Sequence, residues 1–222
     1  MTKNTGFLIF ISLVIFSCKK ENQLKENNSC TERKIVSPNS HLIDRPDIAL
    51  VNNLFIKNGI DKNNFRYFQY TEDSIQTYFP PYDKFDSKIV RVDQFTNGLR
   101  IFNGDLVFSF KNDIFNYRGG SLTSGTKLNN IPNLNLTQLR KLFIDDIKKF
   151  NQPLNQNNDT CLYAEFGYFN LNAGTGNITE SLIKAWRIKL KNSVYPSEYP
   201  EAYYQDNDGK LIYFDNGIRT FK

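Results

Sequence analysis

The stretch that decides the fold is KIVRVDQFTNGLRIFNGDLVFSFKNDIFNYRGG, which runs from Lys88 to Gly120. β-branched and aromatic residues dominate it up to Phe95, a composition typical of a β-strand. Asn97-Gly98 follows, and this pair is a strong short-range signal for a two-residue hairpin turn. We therefore predict that the chain reverses here and returns as an antiparallel strand through Phe102.

The rest of this stretch predicts two more strands. Asn103-Gly104 interrupts the apolar pattern, as a bulge or a bend does. Apolar Leu106, Phe108 and Phe110 then alternate with other residues, which places them on one face of a strand. A polar turn leads into a further strand that ends near Gly119. Together these segments predict a meander in which each strand pairs with the next.

One helix is predicted on each side of this meander. An N-cap at Asp44, a proline close behind it and a stop at Asn58-Gly59 bound the first helix. The second helix has its cap at Asn135 or Thr137 and continues to about Phe150. Short aromatic or apolar segments predict further strands at residues 65–70, 75–79 and 161–169. These elements predict an α+β fold made of antiparallel sheets that each pack against a helix.

The N-terminus has the pattern of an export signal. Lys3 precedes an apolar run from Phe7 to Phe16, which is shorter than the roughly 20 residues needed to span a bilayer. Ser17 and Cys18 follow directly, and a small residue before a cysteine resembles the lipobox of bacterial lipoproteins. The resemblance implies cleavage between Ser17 and Cys18 and attachment of lipid to the Cys18 thiol. An ordinary signal peptide with a chance cysteine is the alternative.

This pattern predicts how the chain is divided. Residues 1–17 are the lipoprotein signal peptide, and the polar, charged residues 18–40 form a flexible tether that cannot bury a core. The folded part then comprises one unit at residues 41–130 and a second at residues 131–222. We expect an exported protein anchored by lipid to a bacterial membrane, at the outer membrane or the cell surface.

Two further cysteines remain after Cys18 is assigned to lipid. An exported protein lies in a compartment where disulfides persist, so Cys30 and Cys161 can pair or can stay as two free thiols. A bridge would close a loop of roughly 130 residues and stabilise the fold by ~4–5 kcal/mol on the chain-entropy model. It would also pin the tether to the folded part.

Seven positions around the hairpin follow one pattern: Gln, a gap, Gly-Leu, an aliphatic and an aromatic residue, Gly and an acidic residue. They are Gln94, Gly98, Leu99, Ile101, Phe102, Gly104 and Asp105. In this pattern the chain resembles the FTP domain, the propeptide motif of fungalysin and thermolysin. Arg100 stands where that family usually has Pro, and Asn103 replaces one of its two glycines. The resemblance implies that residues 41–130 are an FTP-like α+β unit.

The second half resembles a different family. Its helix after Asn135, its strand at residues 184–190 and its strand–turn–strand at residues 201–213 are similar to the PepSY domain. FTP and PepSY domains together form the pro-region of secreted zinc metallopeptidases, which assists folding of the catalytic domain and inhibits it. The resemblance therefore implies an FTP-like unit followed by a PepSY-like unit that binds an exported polypeptide.

Peptidase chemistry itself is not predicted. The sequence lacks His-Glu-x-x-His, and its single histidine, His41, cannot supply the paired ligands of such a zinc site. We expect His41 to be a lone surface residue and the chain, which stops at Lys222, to lack the catalytic domain. Asp206-Asn207-Asp208-Gly209 resembles the start of a calcium loop but lacks its later Gly and Glu, so it predicts a hairpin turn. We therefore expect no catalytic residues, no metal and no cofactor.

Charge and composition restrict the classes of partner that the sequence predicts. The chain has 28 Lys and Arg against 23 Asp and Glu, a net charge of +5, without a basic cluster interleaved with aromatic residues. Nucleic acid is therefore not an expected partner. The segment around Tyr195, Tyr199 and Tyr203 is rich in Tyr and Pro, so it is either a loop packed on its own sheet or a loop that binds a partner.

These observations favour a non-enzymatic, membrane-anchored protein. We expect it to bind an exported metallopeptidase or another envelope protein, as a peptidase inhibitor or a folding helper. An exposed sheet edge or a loop would suffice for such binding, because strand pairing needs no catalytic residue. Two alternatives remain at this point: a structural or assembly lipoprotein of the cell envelope without a peptidase link, and an enzyme with an unrecognised site.

Overall fold

A computed structural model describes residues 30–150, 161–175, 181–191 and 200–216. Within these residues there are ten strands and two helices. In chain order they are β1 (Thr31–Lys34), α1 (Arg45–Lys57), β2 (Phe65–Gln76), β3 (Lys84–Thr96), β4 (Leu99–Phe102), β5 (Leu106–Lys111), β6 (Ile114–Gly119), α2 (Leu136–Lys149), β7 (Leu162–Asn170), β8 (Leu182–Leu190), β9 (Glu201–Gln205) and β10 (Leu211–Asp215).

Both helices begin and end where local sequence signals predict them. Asp44 occupies the N-cap position of α1 with an extended backbone, and the helix ends at Asn58, whose side chain donates to the Leu54 carbonyl at 2.8 Å. α2 is capped by Asn135, whose side chain accepts from the backbone of Gln138 while the Gln138 side chain accepts from the backbone of Asn135. This reciprocal capping box fixes the first turn of α2.

β2 and β3 form one long hairpin. The sequence predicts two short strands at residues 65–70 and 75–79, but β2 continues without a break for 12 residues. The polar residues between the two apolar segments do not end the strand, because β3 pairs with β2 along its whole length, from Phe65 opposite Gln94 to Gln76 opposite Lys84. The hairpin therefore extends well past the core.

The turn predicted at Asn97-Gly98 is confirmed, with positive φ at both residues, and it joins β3 to β4. The predicted meander is wrong at its next step, although β6 pairs with β5 as predicted. β5 does not follow β4 as its neighbour but pairs with the middle of β3, from Ser87 to Val92. Asn103, with φ of 50°, marks the break that separates β4 from β5. β4 is left to pair in parallel with β7 through Ile101 and Phe102.

The predicted fold class, α+β with separate antiparallel sheets that each pack against a helix, is wrong. The strands form one mixed sheet in the order β10-β9-β8-β7-β4-β3-β5-β6, with β1 added to β7 and β2 to β3. Pairs β1–β7 and β4–β7 are parallel. Because the four-residue strand β4 pairs with β7, the sheet is continuous between the two units that the sequence predicts on either side of residue 130.

Close approach of β4 to β7 depends on Gly167. A Cβ atom at this position would lie 2.5 Å from the Arg100 carbonyl oxygen and 2.9 Å from the Phe102 ring. Any side chain would therefore collide with β4, so glycine is the residue that permits the parallel pair. The local sequence gives no sign of this contact between distant segments.

Each helix packs on its own part of the sheet. α1 contributes Val51, Leu54 and Phe55 to a core with β2, β3 and β5. α2 contributes Leu139, Phe143 and Ile147 to a second core with β7, β8 and β9. Because these residues recur at helical spacing, each helix buries a single apolar stripe.

The segment before α1 is partly built into the sheet. Residues 31–34, which lie in the stretch predicted as a flexible tether, form β1 and pair in parallel with Leu162–Glu165 of β7. The structure joins Cys30 to Cys161 by a disulfide that spans 131 positions of sequence, with their Cα atoms 4.6 Å apart. The bridge holds β1 beside β7, which explains why a polar four-residue segment is ordered.

No helix among the described residues has the length and apolar character that crossing a membrane requires.

Candidate binding site beside the α2-packed strands

The strands that pack against α2 have a second face of different character. Side chains alternate along a strand, so Phe166 on β7 and Trp186 on β8 point into the second core while their neighbours Glu165 and Arg187 point to the opposite face. Glu165 lies directly opposite Arg187 across the β7–β8 ladder. Charged residues therefore lie in the interior, on a face of the sheet that the sequence pattern alone would predict to be exposed to solvent.

These residues line a cavity of about 350 Å³, which we call the charged cavity. Its walls come from β2, β3, β4, β7 and β8, and from the segment that follows β1. The charged residues in them are Arg66, Asp93, Arg100, Asp105, Glu165 and Arg187, with Lys34 and Lys189 beside them. Five cations therefore face three carboxyl groups, which gives the cavity a positive balance when all are ionised.

Asp93 is the centre of this cluster. Its side chain is only 1% exposed, and its Oδ2 atom accepts from Arg66 Nε at 2.6 Å while also contacting Arg66 Nη2. Arg100 Nη2 lies 2.7 Å from the other carboxylate oxygen, Oδ1. One buried carboxylate thus holds two arginines, from β2 and β4, against β3. Such pairing is needed because an isolated charge at this depth would be strongly unfavourable.

Asp105, between β4 and β5, adds a second acidic group close to the first. Although it is an exposed residue, partial burial of its carboxyl group among protein atoms raises its pKa, and the negative charge of Asp93 raises it further. The guanidinium groups of Arg100 and Arg187 oppose this shift. Repulsion between the two carboxylates therefore favours the protonated form of Asp105.

Two polar atoms of the cavity are buried without a hydrogen-bond partner: the donor Arg100 Nε and the acceptor Glu165 Oε1. Arg100 and Glu165 approach each other only to 3.9 Å, between Nη1 and Oε2. Asp93 Oδ1 also lacks an aligned hydrogen bond, although its ion pair with Arg100 compensates its charge. A donor and an acceptor left together in a cavity are suited to a ligand that presents both kinds of group, as an amide does.

A second concavity, the aromatic groove, lies next to the charged cavity. It has a volume of about 480 Å³, and its lining includes Asn103, Phe169, Leu171, Glu201, Tyr203 and Tyr213. The Tyr203 ring packs edge-on against Phe102 and Phe169, with centroids 5.3 and 5.4 Å away. Burial raises the pKa of the Tyr203 hydroxyl, so it remains protonated and able to donate.

Glu201 connects the two concavities. Arg187, which lines the charged cavity, donates from Nε to Glu201 Oε2 at 2.8 Å. Tyr203, which lines the aromatic groove, donates its hydroxyl to Glu201 Oε1 at 3.2 Å. A chain of hydrogen bonds therefore runs from one site to the other, and a ligand that spans both would meet charge at one end and aromatic surface at the other.

The predicted site residues have different outcomes. Tyr203 lies on β9 and lines the aromatic groove, whereas Tyr195 and Tyr199 lie outside the described residues. The cleavage and lipidation positions Ser17 and Cys18 also lie outside them. Metal ligation has no support in the described residues, where no group of three or more His, Cys, Asp or Glu side chains could hold an ion.

The sequence reading missed the charged cavity. One signal was present, because Glu165 interrupts β7, whose other residues before Asn170 are apolar or aromatic. A charged residue at such a position is rarely buried unless it is paired. β3 and β8 contain several other charged residues, so Asp93 and Arg187 could be grouped with Glu165 only with knowledge of the strand order.

No known protein family, characterised protein or solved structure matches this chain significantly. The resemblance to the FTP and PepSY domains therefore stays a prediction from the quoted residues.

Proposed function

We propose that this chain is a non-enzymatic, membrane-anchored protein that binds an exported polypeptide at the charged cavity and the aromatic groove. The observation that carries the proposal is the pair of buried, unpartnered atoms Arg100 Nε and Glu165 Oε1 in a cavity that adjoins an aromatic groove. Binding sites for small groups typically combine such apolar walls with a few polar groups that fix orientation.

A polypeptide supplies the groups that this arrangement lacks. Each peptide unit offers a carbonyl oxygen, which Arg100 Nε can bind, and an N–H, which Glu165 Oε1 can accept. The groove next to it offers Phe169 and Tyr203 to an apolar side chain of the same polypeptide. Aromatic side chains of this kind provide much contact area at low loss of conformational entropy.

The location and the kind of partner come from the sequence. The predicted signal and the predicted lipid at Cys18 favour a partner that is itself exported. The resemblance to peptidase pro-regions favours a metallopeptidase as that partner, with this chain acting as an inhibitor or a folding helper. A structural or assembly role in the envelope is the competing explanation, and the experiment below separates the two.

The test uses residues 19–222, which retain every described residue, with two matched surface variants. Leu171→Arg places a long charged side chain at the groove, where Leu171 is 46% exposed, and Ile131→Arg does the same at a 65% exposed position outside both sites. The wild-type chain is titrated against the activity of a thermolysin-like metallopeptidase and, separately, against a fluorescent, reduced and carboxymethylated polypeptide.

We expect saturable inhibition or saturable polypeptide binding, weakened about tenfold or more by Leu171→Arg because it blocks a binding groove. Ile131→Arg should bind as the wild type does. Binding to the polypeptide without inhibition would keep the binding function and remove the peptidase link. Absence of both, or equal loss in the two variants, would overturn the proposal and favour an assembly role.

A further inference from the structure

The tip of the β2–β3 hairpin exposes an unusual set of aromatic side chains. Tyr78 is 93% exposed, Phe79 is 82% exposed and Tyr82 is 66% exposed, and they flank Pro80-Pro81. These are the three most exposed aromatic residues that the structure describes. A contiguous group of exposed aromatic residues differs from the scattered single residues that are normal on a protein surface.

The turn that carries these rings is held by hydrogen bonds. Thr77 donates its hydroxyl to the Pro81 carbonyl at 2.7 Å and its backbone N–H to the Asp83 carbonyl at 3.0 Å. The backbone N–H of Asp83 approaches the Thr77 hydroxyl at 2.9 Å and the Pro81 carbonyl at 2.8 Å. Two prolines further restrict the backbone, so little conformational entropy is lost when the rings bind.

The tip also projects away from the rest of the sheet. β5 stops pairing with β3 at Ser87, whereas β2 continues to pair with β3 as far as Gln76 opposite Lys84. The hairpin therefore extends as a two-stranded ribbon for about 10 Å, given 3.3 Å for each residue, before the turn begins. The two concavities described above do not include residues of the tip.

Residues 74–82 contain no charged side chain. Charges resume at Asp73 on one strand and at Asp83 and Lys84 on the other. Asp83 and Lys84 thus lie at the base of the turn on β3, whereas β2 carries no charge between the turn and Asp73, which pairs with Ser87. The local balance is acidic, so attraction to anionic groups is not part of its chemistry.

We propose that this tip inserts into the interfacial region of a lipid bilayer. Tyr and Phe side chains are favoured at the boundary between headgroups and acyl chains, and interfacial elements insert by about 5–10 Å, which lets the rings of the turn enter while Asp83 and Lys84 stay among the headgroups. An exposed group of rings that lines neither of these two concavities fits a deformable lipid surface better than the matched pocket a protein partner would need.

The predicted lipid anchor would keep the tip close to a membrane. Cys30 lies twelve positions after Cys18, a length that spans at most about 40 Å. Cys30 adjoins the start of β7, and β7 runs opposite to β3, so Cys30 and the tip lie at opposite ends of the sheet. If the tip inserts into the same membrane that holds the anchor, the strands must therefore lie along the membrane surface.

The test attaches residues 19–222 to phosphatidylcholine vesicles through an N-terminal His tag and a nickel-chelating lipid. Phe79→Cys is labelled with an environment-sensitive fluorophore, and Lys127→Cys, an exposed position away from the tip, is the matched control. Each variant has one free thiol, because Cys30 and Cys161 are bridged. Lipids with a nitroxide on the acyl chain report whether the label reaches the bilayer.

We expect the emission at position 79 to shift to the blue and to be quenched by the nitroxide lipid, with no change at position 127. Adding Tyr78→Ser and Tyr82→Ser to the labelled variant should abolish both effects. The proposal is overturned if position 79 responds no more than position 127, or if its response requires an envelope protein on the vesicle. The variants at the tip leave the charged cavity and the aromatic groove unchanged, and Leu171→Arg leaves the tip unchanged. A failure of membrane insertion can therefore be distinguished from a failure of polypeptide binding.

Discussion

The indole Nε1 of Trp186 donates to Asp206 Oδ1 at 2.8 Å, deep inside the second core. Asp206 is fully buried, and its carboxylate also accepts from the backbone N–H groups of Asn133 and Leu134 at 2.9 and 3.1 Å. Lys184 Nζ lies 3.1 Å from the same carboxylate. The Asp206 side chain thus connects the β9–β10 turn to β8 and to the segment that precedes α2.

Replacing Asp206 with Ala should lower the free energy of unfolding by about 3 kcal/mol or more, because it leaves buried donors and the partly buried Lys184 charge without their acceptor. Urea denaturation measures this change. Asn207→Ala is the control in the same turn, at an exposed position, and should change stability by less than about 0.5 kcal/mol. Similar losses in the two variants would contradict the role assigned to Asp206.

Asp93→Asn should also destabilise the protein. Removing its charge leaves Arg66 and Arg100 in the charged cavity without their shared carboxylate. We expect a loss of about 3 kcal/mol in the free energy of unfolding, the usual size for breaking a buried pair from one side. Denaturation at neutral pH tests this, and a stability equal to that of the wild type would show that the pair does not hold β2 and β4 to β3.

Asp105→Asn should have the opposite effect at neutral pH. The pKa of Asp105 is raised in the folded protein above its ordinary value of 3.8, so the stability it contributes is fully present below that value and is lost as the pH rises through the raised pKa. Asn cannot ionise and avoids this loss. We therefore expect the variant to be more stable than the wild type at about pH 7, with a difference that shrinks toward pH 3.8.

Parallel urea titrations of the wild type and Asp105→Asn at several pH values measure this difference. A variant that is less stable than the wild type at neutral pH would contradict the raised pKa. A difference that grows as the pH falls would contradict it in the same way.

Gly167→Ala should disrupt the parallel pair of β4 and β7. The added methyl group would collide with the Arg100 carbonyl and the Phe102 ring, and overpacking of this kind typically costs about 1–3 kcal/mol. Gly119→Ala on β6 is the matched control, because its Cβ would meet only Val107, at an ordinary 3.8 Å. Thermal unfolding of both variants should show a clear loss for Gly167→Ala alone, and equal behaviour would remove the argument for close approach.

Removing the Cys30–Cys161 bridge should destabilise the protein. The double variant Cys30→Ser, Cys161→Ser loses a cross-link over a long loop, which typically contributes about 2–5 kcal/mol. The double variant and the reduced wild type should unfold at the same urea concentration, below that of the oxidised protein. A double variant as stable as the oxidised protein would show that the bridge does not contribute.

Local sequence signals predicted the parts of the fold that depend on neighbouring residues. Asp44 and Asn58-Gly59 bound α1. Asn97-Gly98 forms the turn between β3 and β4, and Asp206–Gly209 forms the turn between β9 and β10. In each case the turn or cap is fixed by backbone preferences of the residues themselves, so no knowledge of the rest of the chain was needed.

The pairings between distant segments were not predictable in the same way. β4 has only four residues, and its choice of β7 as a parallel partner depends on Gly167, which lies far along the sequence. β1 is polar and has no strand pattern of its own, so its place in the sheet depends on the Cys30–Cys161 bridge and on β7. Because both strands obtain their stability from their partner, periodicity could not reveal them.

The same limit applies to the candidate site. Tyr203 was named from the composition of its segment, whereas Asp93, Arg100 and Glu165 come from three strands that only the sheet brings together. His41 was expected to be a lone surface residue, yet its Nδ1 accepts from the Tyr67 backbone N–H at 3.0 Å and its ring stacks on Tyr67. Burial, followed by the positive charges of Arg66 and Lys62, lowers the pKa of His41.

The Cys30–Cys161 bridge also decides how a mechanical load would enter the fold. A pull on the residues before Cys30 would otherwise fall on β1, whose four residue pairs could be sheared from β7 one after another. The covalent bond instead passes tension to Cys161 and so to the start of β7, an interior strand held by β8 on one ladder and by β1 and β4 on others. Force is thereby delivered along an interior strand of the sheet, and the β1–β7 ladder does not have to bear it.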